Sequence, residues 1–294
     1  MTLFDGRVGI WTGALDVLPP PAVRDAVAEL DEQGWSSLWF GEAYGREAFT
    51  SAAMLLAAGS RMAVGTGIAN IYGRDAVTMK AAALTLAAQF PGRFVCGMGV
   101  SHQPLVERMR HHEYTGPVPT MRAYLDAMDE APYAAVKPTE PPAFVLAALG
   151  PKMLELARDR TDGAHPYLAT PEHTARAREI LGPDKELVVE MAAVLSDDEE
   201  TWKARAHWHL EIYTGLPNYV NNWKRLGFGD DDAVRGGSDR LKEALVARGE
   251  TAIHARVHEH LDAGASQVVV QVLGEGHADV PTEDWRRLAP VLTG

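Results

Sequence analysis

The chain has 294 residues and a formal net charge of −12, a balance that opposes nucleic acid, whose phosphate backbone is normally met by a basic stripe. Hydrophobic residues at 46% and charged residues at 23% exclude a disordered polymer and allow a substantial core. No run approaches the roughly 18 apolar residues of a membrane span, and the start "MTLFDGRVGIWTG" lacks the basic flank and cleavage site of a secretory signal, so a cytoplasmic protein is expected. The single cysteine, Cys96, precludes an internal disulfide framework and, inside an apolar run, reads as a small core hydrophobe.

In chain order, strand-like and helix-like segments alternate. "RVGIWTG" (7–13) reads as a strand, and Val23, Ala26, Val27 and Leu30 then recur at helical spacing up to Gly34. "SSLWFGEAYG" (36–45) is a second strand with its loop, followed by an alanine-rich helix at 47–58. "MAVGTGIAN" (62–70) is a third strand, and Met79, Ala82, Ala83, Leu86 and Phe90 mark its helix. The run "FVCGMGVSHQP" (94–104) is the fourth strand and the turn beyond it; the segment 111–120 is an added loop. "AFVLAALG" (143–150) is strand five, and its helix opens with Pro151 and stops at Gly163. "AHPYLAT" (164–170) and "ELVVEMAAVLS" (186–196) are strands six and seven, the acidic 197–200 suiting a helix start. "SQVVVQVLG" (266–274) is strand eight, followed by a short helix carrying Trp285 and Leu288.

Short, continuously apolar strands alternating with helices indicate a parallel sheet covered on both faces. Eight such units close most naturally as a (β/α)8 TIM barrel, and 201–250 reads as a helical insertion before strand eight, all within one domain. A doubly wound dinucleotide fold is the competing reading. It requires an early glycine fingerprint, whereas Gly97-x-Gly99 follows three complete βα units and His102 stands where the third glycine belongs.

In a barrel the chemistry sits where strand C-termini meet the following loops. That rule selects Trp11 and Thr12; Glu42 and Tyr44; Gly67, Ile68, Asn70 and Tyr72; Gly99, Ser101 and His102; Gly150; His165 and Tyr167; and Glu190 and Met191, though these last two also fit mid-strand. Gly97 and Gly99 permit close backbone approach, with Ser101 placed to cap the helix that carries Leu105, Val106 and Met109. Gly150, Pro151 and Lys152 form a second helix start with a cation beside it. Either alone is an ordinary capped turn; the pair on adjacent strands favours a phosphorylated cofactor. The pairs His111-His112, His207-x-His209 and His254/His258 lack a third ligand, so no metal is expected. No G-x-S-x-G elbow is present, which removes support for a serine hydrolase.

Taken together, "LWFGEAYGREAF", "GTGIANIYGRDAVTMKAAALTLA", "GRFVCGMGVSHQPLVE" and "ALGPKMLELARDRTDG" resemble the luciferase-like monooxygenase superfamily, and within it the branch of oxidoreductases using the deazaflavin coenzyme F420. The resemblance covers residues 5–195 well and 200–250 poorly. It implies a homodimeric (β/α)8 barrel with the deazaflavin across its C-terminal mouth, a non-proline cis peptide at Gly67-Ile68, and Asn70 and Glu42 near the ring. It further implies that Gly99, Ser101, His102, Gln103, Gly150, Pro151 and Lys152 hold the phosphate and the start of the tail. One departure matters. Members acting on alcohols or sugar phosphates carry a histidine and a carboxylate where this chain has Ala43 and Val100, so Glu42, Tyr44, Tyr72 and His102 remain to handle a proton. The reading that follows is hydride transfer to or from a small organic substrate; the alternatives are an FMN-dependent monooxygenase and a barrel that binds a cofactor without turnover.

Overall fold

The computed structural model describes residues 4–276 and 279–294. Its centre is a ring of parallel strands: β1 (Val8–Trp11), β2 (Ser37–Phe40), β3 (Ala63–Thr66) with its short continuation β4 (Ala69–Asn70), β5 (Phe94–Gly99), β6 (Ala143–Leu146), β7 (Gly163–Ala164) and β8 (Glu186–Val194). A last short strand, β9 (Val246–Arg248), lies along the end of β8, and β10 (Gln267–Val272) pairs with both β8 and β1, closing the ring. The closing register sets Val269 opposite Gly9 on one side and Glu190 on the other. This is the expected eight-stranded (β/α)8 barrel.

Helices α1 (Pro20–Glu32), α2 (Ala48–Ala58), α3 (Ala76–Gln89), α4 (Pro117–Glu130), α5 (Pro151–Arg160) and α6 (Pro171–Leu181) follow successive strands. The insertion supplies α7 (Glu199–Tyr213), α8 (Pro217–Arg225) and α9 (Asp239–Leu245), and α10 (Gly249–Asp262) and α11 (Thr282–Leu292) complete the ring.

Alternation along each strand divides the core in two. Leu38, Val64, Cys96, Val189 and Val268 face outward to Val27, Leu56, Met79, Leu154, Ile253 and Leu288 of the helices. Trp39, Val95, Val145, Val188 and Val269 fill the barrel interior. Trp39 needs a neighbour without a side chain: a Cβ on Gly65 would stand 2.4 Å from its indole. Its Nε1 donates to Ser37 Oγ at 3.1 Å, and Ser37 donates to Gln267 at 2.8 Å, so the Trp39 and Ser37 donors are satisfied. Each large apolar side chain buried this way contributes roughly 1.5–3 kcal/mol.

A third cluster, including Leu168, Trp202, Leu210, Tyr219, Trp223 and Leu245, packs the insertion against the residues beyond β7 and β8. Three local expectations change. Strand three is split at a cis Gly67-Ile68 peptide into β3 and β4. The stretch 111–120 is not all loop, because α4 begins at Pro117, a residue suited to a first helical turn. Strand six shrinks to Gly163–Ala164: Pro166 has no N–H for a ladder, and Leu168 turns into the left-handed region at φ +51.

Candidate active site at the barrel mouth

On the β2–β4 side, Glu42 follows β2 and its backbone N–H donates to Ile68 O at 3.2 Å, tying the two strand ends together. Its carboxylate accepts from Asn70 N at 2.8 Å, Ala48 N at 3.3 Å and both terminal nitrogens of Arg74. Both partners of this ion pair are only 7% exposed, and Arg74 also reaches Glu47 at 2.9 Å and Asn70 O at 3.1 Å. The lone pairs of Glu42 are therefore committed to the protein. Arg74 was not among the sequence candidates, although it stands four residues after Asn70.

Asn70 accepts from Tyr72 N at 2.9 Å through Oδ1, while its buried Nδ2 has no partner. The Tyr72 hydroxyl is likewise buried and partnerless, its ring lying against His112 and Tyr114. The Gly67-Ile68 bulge sits between these groups and β5. A Cβ on Gly99 would meet Ile68 Cγ1 at 2.7 Å, so Gly99 makes room for the Ile68 side chain.

Beyond β5, Ser101 does not cap a helix. It sits at φ +56, and the segment Leu105–Met109 is a single π-type turn that opens at Pro104 with no side-chain cap. The carbonyl of His102 receives Leu105 N and Val106 N instead, each at 3.0 Å. The His102 ring packs 5.8 Å from Tyr219 of α8, and burial lowers its pKa. Gln103 is exposed and donates to Glu107 at 3.0 Å.

Gly150 is the N-cap of α5 with no side chain filling that role, followed by exposed Pro151 and Lys152. The guanidinium of Arg225, at the end of α8, approaches within 3.8 Å of where a Cβ on Gly150 would stand. Met153 N and Leu154 N both donate to Gly150 O at 3.1 Å and Pro151 has no N–H, so what makes this corner electropositive is the helix start itself with Arg225 and Lys152 beside it. Arg225 lies in the insertion, where no motif flagged it.

The β7–β8 side is aromatic. Trp11 meets Tyr167 edge-on at 5.1 Å, Tyr167 lies 5.4 Å from Tyr213, and Tyr213 lies 4.9 Å from Tyr219. Tyr213 donates to the Tyr167 hydroxyl at 3.0 Å, and Tyr167 donates to Gln271 at 2.6 Å. Glu190, mid-strand and fully buried, accepts from Leu168 N at 2.7 Å through one oxygen only. Burial pushes its pKa up to about 8 against that hydrogen bond, which leaves the carboxyl mostly neutral at pH 7. Burial also raises the tyrosines, Tyr213 to about 12.

No group of three metal-ligating side chains occurs among the described residues; His254 and His258 pair with each other on α10 at 3.2 Å.

The barrel mouth thus combines a cis bulge after the third strand, unsatisfied polar atoms around that bulge and an electropositive helix start two strands away. Residues 1–278 match the family model for luciferase-like monooxygenases, and the chain belongs to that family of oxidoreductases. It is 26% identical over 285 residues to a 5,10-methylenetetrahydromethanopterin reductase of Methanolobus tindarius, covering 81% of this chain and 86% of the relative. Among solved structures it is similar to an F420-dependent secondary alcohol dehydrogenase holding an F420-acetone adduct (TM-score 0.73, 13% identity, 98% of this chain and 99% of the other). It is also similar to the FMN complex of the oxygenating constituent of 3,6-diketocamphane monooxygenase from a Pseudomonas putida plasmid (TM-score 0.72, 12% identity, 98% and 97%).

Proposed function

We propose that the protein is a coenzyme F420-dependent oxidoreductase that transfers a hydride between the deazaflavin and a small organic substrate. The observation that carries this reading is Asn70 Nδ2, a buried donor with no partner beside the cis Gly67-Ile68 bulge. A ring edge bearing a carbonyl or ring nitrogen would satisfy it. The solved F420-dependent alcohol dehydrogenase points the same way.

When bound, the deazaflavin supplies two-electron hydride chemistry at one ring carbon. The chain's own residues supply placement. Ile68, seated over Gly99, supports the ring, and Glu42 fixes Asn70 through the backbone while Arg74 neutralises its charge. The start of α5, with Gly150, Pro151 and Lys152, receives the phosphate together with Arg225. Ser101, His102 and Gln103 border the path of the tail. Because Glu42 is held by Arg74, we assign it to positioning and assign proton handling to the Tyr72 hydroxyl, which has no partner of its own, and to the His102 ring. A homodimer in the cytoplasm accompanies this reading.

FMN is the second reading, favoured by the likeness to an FMN monooxygenase of nearly equal TM-score. Parallel fluorescence titrations with F420 and FMN decide between them. Saturable F420 binding with a weak FMN response is expected; tight FMN binding without an F420 response overturns the proposal. F420 binding without hydride transfer across alcohols, imines and activated alkenes leaves a binding barrel.

A further inference from the structure

Two buried nitrogens in the aromatic half of the mouth are left without partners and converge. Trp11 is 9% exposed and His165 2%, and neither Trp11 Nε1 nor His165 Nε2 has a hydrogen-bond partner. Each comes within 2.7 Å of the single point where a Cβ on Gly67 would stand, Trp11 Nε1 at 2.6 Å and His165 Nε2 at 2.7 Å. Any side chain at 67 would collide with both atoms, so glycine there is what lets the two nitrogens approach the same point.

Their hydrogen-bonding senses are opposite. Indole nitrogen only donates. His165 Nδ1 lies 2.9 Å from Val188 O, a carbonyl that can only accept, so Nδ1 carries the proton. Burial lowers the ring's pKa to about 4, and the neutral ring therefore presents a bare lone pair at Nε2. A donor and an acceptor side by side are matched by a group that accepts and donates through one atom, which describes a hydroxyl. A carboxylate or ketone satisfies Trp11 and leaves His165 unmet.

The surroundings define the rest of the molecule. The Trp39 ring stacks on His165 at 4.7 Å, Tyr167 meets Trp11 edge-on, and Tyr213 and Tyr219 extend the wall from α7 and α8. Burial holds the three tyrosines, His165 and Glu190 neutral at pH 7; the wall's other ionisable neighbours are His102 against Tyr219 and His209 against Tyr167 and Tyr213, and the Glu42–Arg74 pair belongs to the opposite side. Neutral aromatic and hydrogen-bonding surface therefore dominates, which favours an uncharged ligand.

We propose that Trp11 and His165 form the hydroxyl-recognition pair of a substrate subsite, walled by Tyr167, Tyr213 and Tyr219, that takes an uncharged, flat, hydroxyl-bearing molecule. This deepens the oxidoreductase reading and rests on it for the word substrate.

Calorimetric titration of the full chain, with and without saturating oxidised F420, tests it with three ring-matched probes: 2-naphthol, 2-methoxynaphthalene and 2-naphthoate. Expected is the order naphthol, then the methyl ether, then the anion, with naphthol ahead by about tenfold, the worth of one hydrogen bond of roughly 1.4 kcal/mol. Trp11→Phe keeps the aromatic surface and removes the donor, and His165→Phe removes the acceptor; each should erase most of naphthol's lead, with folding checked by circular dichroism. Should His165→Phe fail to fold, the Trp11→Phe comparison alone decides. Equal binding of naphthol and its ether, stronger binding of naphthoate, or no binding of any probe overturns the subsite, the last meaning that a trapped water satisfies the pair. Naphthol selectivity in a protein that ignores F420 keeps the subsite and sinks the cofactor proposal instead.

Discussion

On the β2–β4 side of the mouth a carboxylate is buried together with a cation; on the β7–β8 side a carboxyl is buried without one. Arg74 and the Asn70 and Ala48 amides all bond to the Glu42 carboxylate, and the group becomes a rigid strut between strand ends. Glu190 has one backbone N–H and otherwise apolar or aromatic surroundings, and it is held mostly as the neutral acid. The difference teaches that a buried carboxyl in a barrel mouth is not by itself a base. Its partners decide whether it is spent on architecture or kept protonated.

Breaking the charged half should cost most. Arg74→Met strands the Glu42 charge and should lower stability to urea by about 3–5 kcal/mol, with partial recovery when Glu42→Gln is added. A loss below roughly 1 kcal/mol would show that the pair is not buried in solution.

The neutral half predicts an opposite sensitivity, to alkali. The folded-state pKa of Glu190 is raised above its unfolded value, so its contribution is fully present below pH 4.5 and is lost as pH rises through about 8. Tyr167, Tyr213 and Tyr219 face it and stay protonated over that range, so they add nothing to the change. Wild-type stability measured by urea titration should fall on the order of 3 kcal/mol between pH 5 and 8 from this group. Glu190→Gln keeps an acceptor for Leu168 N–H and should flatten that limb; an unchanged slope would place the proton elsewhere.

Two smaller changes sharpen the contrast. Arg225→Ala should weaken F420 binding about tenfold through a lost charge-assisted contact while leaving naphthol binding alone, as read by fluorescence and calorimetry. Equal loss for both ligands would merge the two halves into one site. Tyr213→Phe removes only the bond to Tyr167 and should cost about 1 kcal/mol or less in unfolding; a loss of several would mean that the hydroxyl pair anchors α7.

Much of this architecture was legible because it is periodic. Continuous apolar strands give the order of the βα units, and the rule that loops after strand C-termini carry chemistry selects Trp11, Glu42, Asn70, His165, Tyr167 and Glu190 from the sequence. What each does there was not legible. The partner of Glu42 is a side chain 32 positions away, and the aromatic wall needs Tyr213 and Tyr219 from an insertion whose motifs match nothing local. Strand six was overread because an apolar run does not disclose that Pro166 and Leu168 will turn it. Ser101 looked like a cap because it precedes apolar residues, but a π-type turn began at Pro104 instead.

Cys96 lies at the centre of β5, fully buried against the helix layer, and burial pushes its thiol up to about 12. The native fold is thus silent toward maleimides and other thiol reagents at neutral pH. One cysteine introduced at exposed Ile212, on α7 next to Tyr213, could be given a fluorophore without first removing the natural one. The chain is already built for watching its own aromatic wall respond to a ligand in real time.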